Sequence, residues 1–410
     1  MSERPPLVLD PHGTDWQTEY RTLRTGGAAT PVDILGVTAW SVSDPALLKQ
    51  LLTSPDISKD GRAHMPDYER TVATWPLALW IAVKNMFTAY GGDHRRLRRM
   101  IAPAFSARRI ADLAPVVTGI VTELIDDLAR TAGDGPVDLR ERLAYPVPIA
   151  VISHLLGVPD DESRLFRQVV DGIFDTTLTQ EQSAANNERL FALADRIVAA
   201  KRAAPGPDMT SLLISTHDEE TGSRFTDLEL RDTLILMISA GYETTVNVID
   251  EAIVALLSQP GALDRVRDGG ADWPDVVEET LRLTPALRLL PLRFAVRDIP
   301  LPDGRTIRRG EAVLPAYGAA NRHPDWHGPD ADTFDVTRPN KEHMAFGHGV
   351  HFCLGAPLAR MEVAAVLDGL FGRYPDVRLA VPAAELRPLG SMLSNGHQEL
   401  PAHLGPPAAG

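Results

Sequence analysis

The sequence predicts a mainly α-helical protein carrying a smaller β-rich lobe, with a ligand held where the two meet. Three observations predict it. Helical apolar periodicity dominates the first two-thirds of the chain. Between 292 and 316 it gives way to short runs broken by Asp-Gly, Pro and Gly, the texture of β hairpins. Residues 321–355 then follow, 35 residues without clear periodicity, and loops of that length inside compact domains are usually functional or wrapped around something. There is no internal repeat, low-complexity segment or linker. Residues 1–410 are therefore read as one domain, its lobe formed by the N-terminal segment with 290–320 and 375–405.

In chain order, the predicted helices begin with 44–52, which opens on Asp44 as a cap. A long amphipathic helix over 106–132 opens on Ser106, and 160–177 and 180–203 are two more, separated by a short polar link. The segment 225–261 is apolar nearly all round in its middle, as expected of a helix crossing the centre of the molecule. A helix over 273–283 has Pro274 in its first turn, and the last, 356–374, has Pro357 in its first turn.

Composition limits the function. Apolar residues make up 44 % and charged residues 23 %, ordinary for a soluble protein with a sizeable core. A formal charge of −14 argues against nucleic acid, whose binders need a basic surface. The longest apolar runs, at 77–83 and 147–158, fall short of the roughly 20 residues that span a bilayer. The first residues lack the apolar core of a signal peptide, and the single cysteine excludes an intrachain disulfide, so a cytoplasmic protein is expected.

That cysteine, Cys353, lies in "FGHGVHFCLGAP" at 346–357. Gly347 and Gly349 permit a tight turn and close approach of backbone to a flat ligand, and a helix begins just after Gly355. Free N–H groups and the helix dipole there favour a thiolate, which suits a soft metal ligand or a nucleophile. An inert core thiol is the commoner role for a free cysteine. Zinc is a poor match, because His348, His351 and Cys353 come without a CxxC or HExxH. No base and orienting residue accompany the thiol as a cysteine hydrolase would require.

The run Phe346-Gly347-x-Gly349-x-His351-x-Cys353-x-Gly355, followed by Leu358-Ala359, resembles the haem-binding loop of the cytochrome P450 family. Other segments resemble the family in the same order along the chain. The predicted central helix carries Ala240-Gly241-Tyr242-Glu243-Thr244-Thr245, the following helix Glu279-x-x-Arg282, and "FDVTRPN" supplies Arg338. His94 and Arg98 match His-x-x-x-Arg, and Arg293 stands in an Arg-x-Ala context.

The resemblance implies a cytochrome P450 fold and haem b (iron protoporphyrin IX), with Cys353 as the axial iron ligand. Ala240, Phe346, Gly347 and Gly355 would pack on the macrocycle, and His94, Arg98, Arg293 and His351 would meet its propionates. Thr244 would hold dioxygen and its waters over the distal face, with Glu243 feeding the proton relay. Glu279, Arg282 and Arg338 would hold the loop before the cysteine. The implied activity is monooxygenation with O2 and two electrons. Those electrons would come from a ferredoxin and its reductase, landing on the basic run Arg95, Arg96, Arg98, Arg99, Arg108 and Arg109. By family position the substrate pocket would be Met86, Phe87, Phe174, Leu236, Ser239, Ala240, Leu289, Leu290, Met392 and Leu393. Its apolar character points to a bulky lipophilic substrate, a steroid ahead of a macrolactone or other secondary metabolite. A peroxide-using or non-catalytic haem protein is the alternative of another class, against which Glu243-Thr244 speaks. A monomer without a membrane span is expected.

Overall fold

The computed structural model describes residues 5–131, 133, 135–158 and 163–408. Its body is helical. The central helix, Asp227–Ser258, opens on a capping box in which Thr226 and Glu229 each take the other's backbone N–H. Nineteen of its residues are buried, among them Leu230, Leu234, Ile238, Val246, Ile249 and Ile253. A helix with so little polar surface is stable only when other helices enclose it. Here they are Ala107–Thr131, Pro146–Leu156, Ser163–Phe174, Gln180–Ala203, Trp273–Leu283 and Ala356–Arg373, all contributing to one apolar core. The predicted helices begin or end within one to three residues of these; positions 132 and 160–162 of those predictions lie outside the described residues.

The lobe is a six-stranded sheet ordered Leu7–Val8, Ala29–Ile34, Val37–Val42, Ala312–Pro315, Arg293–Ala295 and Ile57–Ser58. Leu35 and Gly36 both have positive φ, the requirement of a two-residue hairpin turn whose twist suits its strands.

The tail departs from expectation. Arg378–Leu379 pairs with Pro401–His403, which pairs in turn with Val137–Asp138, in a separate three-stranded sheet. Two features hold it there. Leu400 N–H donates to the Asp138 carboxylate and Leu139 N–H to the Leu400 carbonyl. The turn between the strands donates Gly396 N–H to Glu251 and His397 N–H to Asp250 on the central helix. Only the tip, with Met392 and Leu393, enters the core of the six-stranded lobe.

The irregular stretch 321–355 contains two helical turns, Pro324–His327 and Gly349–His351, and is otherwise held by side chains. Arg282, fully buried, forms a two-pronged pair with Glu279 at 2.7 and 2.8 Å and donates to the carbonyls of Ala331 and Thr333. Arg338 reaches Glu279 at 3.2 Å and the carbonyl of Asp330 at 2.9 Å. A loop without a ladder must satisfy its buried carbonyls somehow, and two arginines sharing one carboxylate do so here.

Candidate active site

Cys353 opens into a cavity between the central helix, the cysteine loop and the sheet lobe. Its N–H donates to the Phe346 carbonyl, which closes the loop. Gly349 has φ +72°, and a side chain there would collide with the Leu52 carbonyl at 2.5 Å, so the loop's path against the lobe requires glycine. The N–H groups of Gly355 and Ala356 face the sulfur and favour its anion, as the sequence predicts. Burial outweighs them and pushes the thiol up. A bare thiol here stays protonated, and coordination to a metal is what would remove the proton.

At one end of this cavity polar groups collect. Arg98, Arg293 and His351 line it, and His94 stacks on His351 with ring centroids 4.2 Å apart. Burial is the largest cause holding His94 down to about 4, and burial likewise pulls His351 well below the ordinary range, so both rings are neutral. His94 Nε2 is buried without a hydrogen bond, and the buried Arg293 and Tyr317 have only each other. Buried donors left open are costly, and a ligand with two carboxylates would satisfy them. These residues, with the thiol beyond them and apolar walls between, fit haem b.

The sequence reading missed Lys59, which also lines this end. Its Nζ donates to the Pro291 carbonyl at 2.9 Å and lies 3.6 Å from the centroid of the Phe87 ring. A lysine after a two-residue strand carries no signal of burial, so only the tertiary structure reveals it. Glu362 was missed too: it is buried on the wall, Oε2 is unpartnered, and desolvation pushes its carboxyl well up, so it is held as a neutral acid.

Of the named pocket residues, Met86, Phe87, Phe174, Leu236, Ser239, Ala240 and Leu290 line the cavity, as do Phe346, Gly347 and Gly355. Leu289, Met392 and Leu393 do not. They pack with Leu9, Ile34, Leu292 and Phe294 in the core of the sheet lobe. Leu287, two residues before Leu289, lines the cavity instead.

Glu243 and Thr244 face different ways. Thr244 lines the cavity, and its hydroxyl donates to the Ala240 carbonyl at 2.6 Å. Glu243 is buried, and its Oε1 accepts from Asn247 at 3.1 Å and lies 3.5 Å from Arg140. Arg140, fully buried, pairs with Asp250, which also binds His397. Burial pushes the Glu243 carboxyl up, and the neighbouring charge of Asp171 adds to this against the pull of Arg140.

The basic run behaves unevenly. Arg98 donates to the Phe352 carbonyl, Arg96 pairs with Glu229, and Arg99 pairs with Asp218 and Glu220. Arg95, Arg108 and Arg109 are exposed. No helix among the described residues is long and apolar enough to cross a membrane.

The cytochrome P450 family pattern matches residues 27–269 and 274–375. The 2-hydroxy-5-methyl-1-naphthoate 7-hydroxylase of Streptomyces carzinostaticus is 38 % identical over 402 residues, 97 % of each chain. The structure of CYP154A1 from Streptomyces coelicolor A3(2) is 64 % identical with a TM-score of 0.93, covering 97 % of this chain and 100 % of that one. Testosterone-bound CYP154C4 from Streptomyces sp. ATCC 11861 is 35 % identical with a TM-score of 0.94, covering 99 % and 100 %. With a matched pattern over most of its length and relatives along all of it, the chain belongs to the cytochrome P450 family, the oxidoreductases that bind haem b through a cysteine thiolate.

Proposed function

We propose that the protein hydroxylates a bulky, lipophilic molecule, a steroid in the first instance, with Cys353 as the thiolate ligand of haem b. The observation that carries the reading is a single cavity bounded by Cys353, the Thr244 turn of the central helix and a largely apolar wall. Bound haem supplies the activation of O2 and the attack on a C–H bond. The chain's own residues do the rest. His94, Arg98, Arg293 and His351, joined by Lys59, receive the two propionates. Leu236, Ala240, Leu287, Leu290, Met86 and Phe174 exclude water and pose the substrate. Glu243 stores a proton behind the helix, and Thr244 presents oxygen lone pairs to the cavity.

The steroid assignment is supported by the apolar lining and by the testosterone in a related structure. Electrons come from a separate ferredoxin and reductase, and the chain works as a monomer. The test begins with the absorbance of the reduced protein under CO: a Soret band at the red-shifted thiolate position is expected, and its persistence in C353S would refute the ligand. A panel of steroids and macrolactones is then screened by the ferric spin-state change, followed by O2 uptake with NADH, reductase and ferredoxin. Testosterone is expected to shift the spin state and be hydroxylated. Turnover with peroxide alone and none with NADH would establish the peroxide-using alternative.

A further inference from the structure

A second cavity, polar and separate from the first, lies on the other side of the central helix. It has a volume of about 590 Å³ and is lined by Tyr145, Gln168, Asp171, Thr177, Gln182 and Glu243, among others. Thr244 does not reach it, and Glu243 does not reach the haem cavity. Consecutive residues on a helix point about 100° apart, so this pair spans the wall between the two spaces.

The floor of the second cavity carries a pair of carboxyls. Asp171 and Glu243 line it, and the Asp171 carboxyl lies within hydrogen-bond reach of Glu243 and of the Tyr242 hydroxyl behind them. The cations beside them are shared: Arg140 lies 3.5 Å from Glu243 but also holds Asp250 and Asn247, and Arg167 lies 3.7 Å from Asp171 but also forms a two-pronged pair with Glu141. The other polar groups packed here include Tyr145, Asp175, Asn186, Arg189, Ser391 and Ser394. A polar space of this size has room for a chain of waters.

We propose that this cavity is the solvent-side proton supply of the active site, and that Asp171 is the residue through which protons reach Glu243. In the step, the O–H bond of the Asp171 carboxyl breaks as a Glu243 oxygen gains the proton. Asp171 is then reprotonated from cavity water, and no electrons move. Burial pushes both carboxyls up, which keeps a proton available to the pair near neutrality.

The inference rests on reading Glu243 and Thr244 as the proton-handling pair, so the experiment separates the two. The holoenzyme carrying D171N, D171E, A185L or E243Q is turned over with testosterone, ferredoxin, reductase and NADH. Product per NADH is expected to fall about 10-fold in D171N, with peroxide making up the difference, a larger solvent deuterium effect and a displaced pH profile. D171E restores coupling. A185L, which fills the cavity from the facing helix while leaving Asp171 intact, uncouples in the same way. Wild-type coupling and pH profile in D171N and A185L, beside an uncoupled E243Q, would overturn the proton entry while leaving the pair standing. Full coupling in E243Q as well would overturn both.

Discussion

Thr244 commits its one hydroxyl proton to the Ala240 carbonyl, and the consequence is chemical. Back-bonding of this kind is an ordinary habit of threonine in helices, and it leaves the oxygen free to accept from whatever lies in the cavity. A serine can do the same and an alanine cannot. T244A is therefore expected to oxidise NADH while forming about 10-fold less product, the electrons appearing as peroxide, and T244S to recover most of the loss. Equal coupling in all three would remove Thr244 from the mechanism. His327 makes a prediction of a different kind. The ring is buried, and burial, then Arg282 and Arg338, holds it down to about 4. An unfolded histidine takes up its proton near 6.5, so between those values the unfolded chain binds more protons. Stability is complete above 6.5 and is lost as pH falls towards 4. The melting temperature of H327L is expected to decline less over that window than that of the wild type, and parallel declines would refute the assignment.

At the scale of elements, the cluster of Glu279, Arg282 and Arg338 ties a helix to the loop that leads into the cysteine turn. All three side chains are buried, and Glu279 also accepts the Asp335 N–H at 2.8 Å. Removing one partner of a buried pair strands the others. E279L is expected to cost about 3–5 kcal/mol, read from the urea midpoint. A loss under about 1 kcal/mol would show that the loop carbonyls alone hold the arginines. The helices of this body were legible in the sequence because periodicity and caps are local, as with Asp44, whose carboxylate accepts the Leu47 N–H. The tail sheet was not legible, since strands of two or three residues such as Arg378–Leu379 carry no alternation to read. The same limit explains Leu289, Met392 and Leu393: family position gave their place along the chain but not the side they face. Lys59 and Asp171 were invisible for a further reason. What makes each notable is its particular neighbours, and those arise only when distant segments meet.

For the molecule as a whole, charge is distributed against its sum. The chain carries −14, yet Arg95 is exposed on the helix whose Arg98 holds the cysteine loop, and Arg108 and Arg109 are exposed at the start of the next helix. Val350 and Phe352, 60 % and 43 % exposed on that loop, add apolar surface. An acidic electron carrier would be steered to such a face, more strongly at low salt. Reversing Arg95, Arg108 and Arg109 to Glu is expected to raise the ferredoxin concentration needed for half-maximal NADH oxidation about 10-fold at low ionic strength. The CO spectrum after chemical reduction should be unchanged. An unaltered requirement would place the electron carrier elsewhere.

The solitary cysteine also decides how this chain ages. No second thiol exists to form an internal disulfide or to absorb an oxidant first. Conversion of Cys353 to a sulfenic acid would be reversible by added thiol, and any further oxidation would not. With Cys353 as the proposed iron ligand, oxidative damage at sulfur and loss of that ligand are a single lesion.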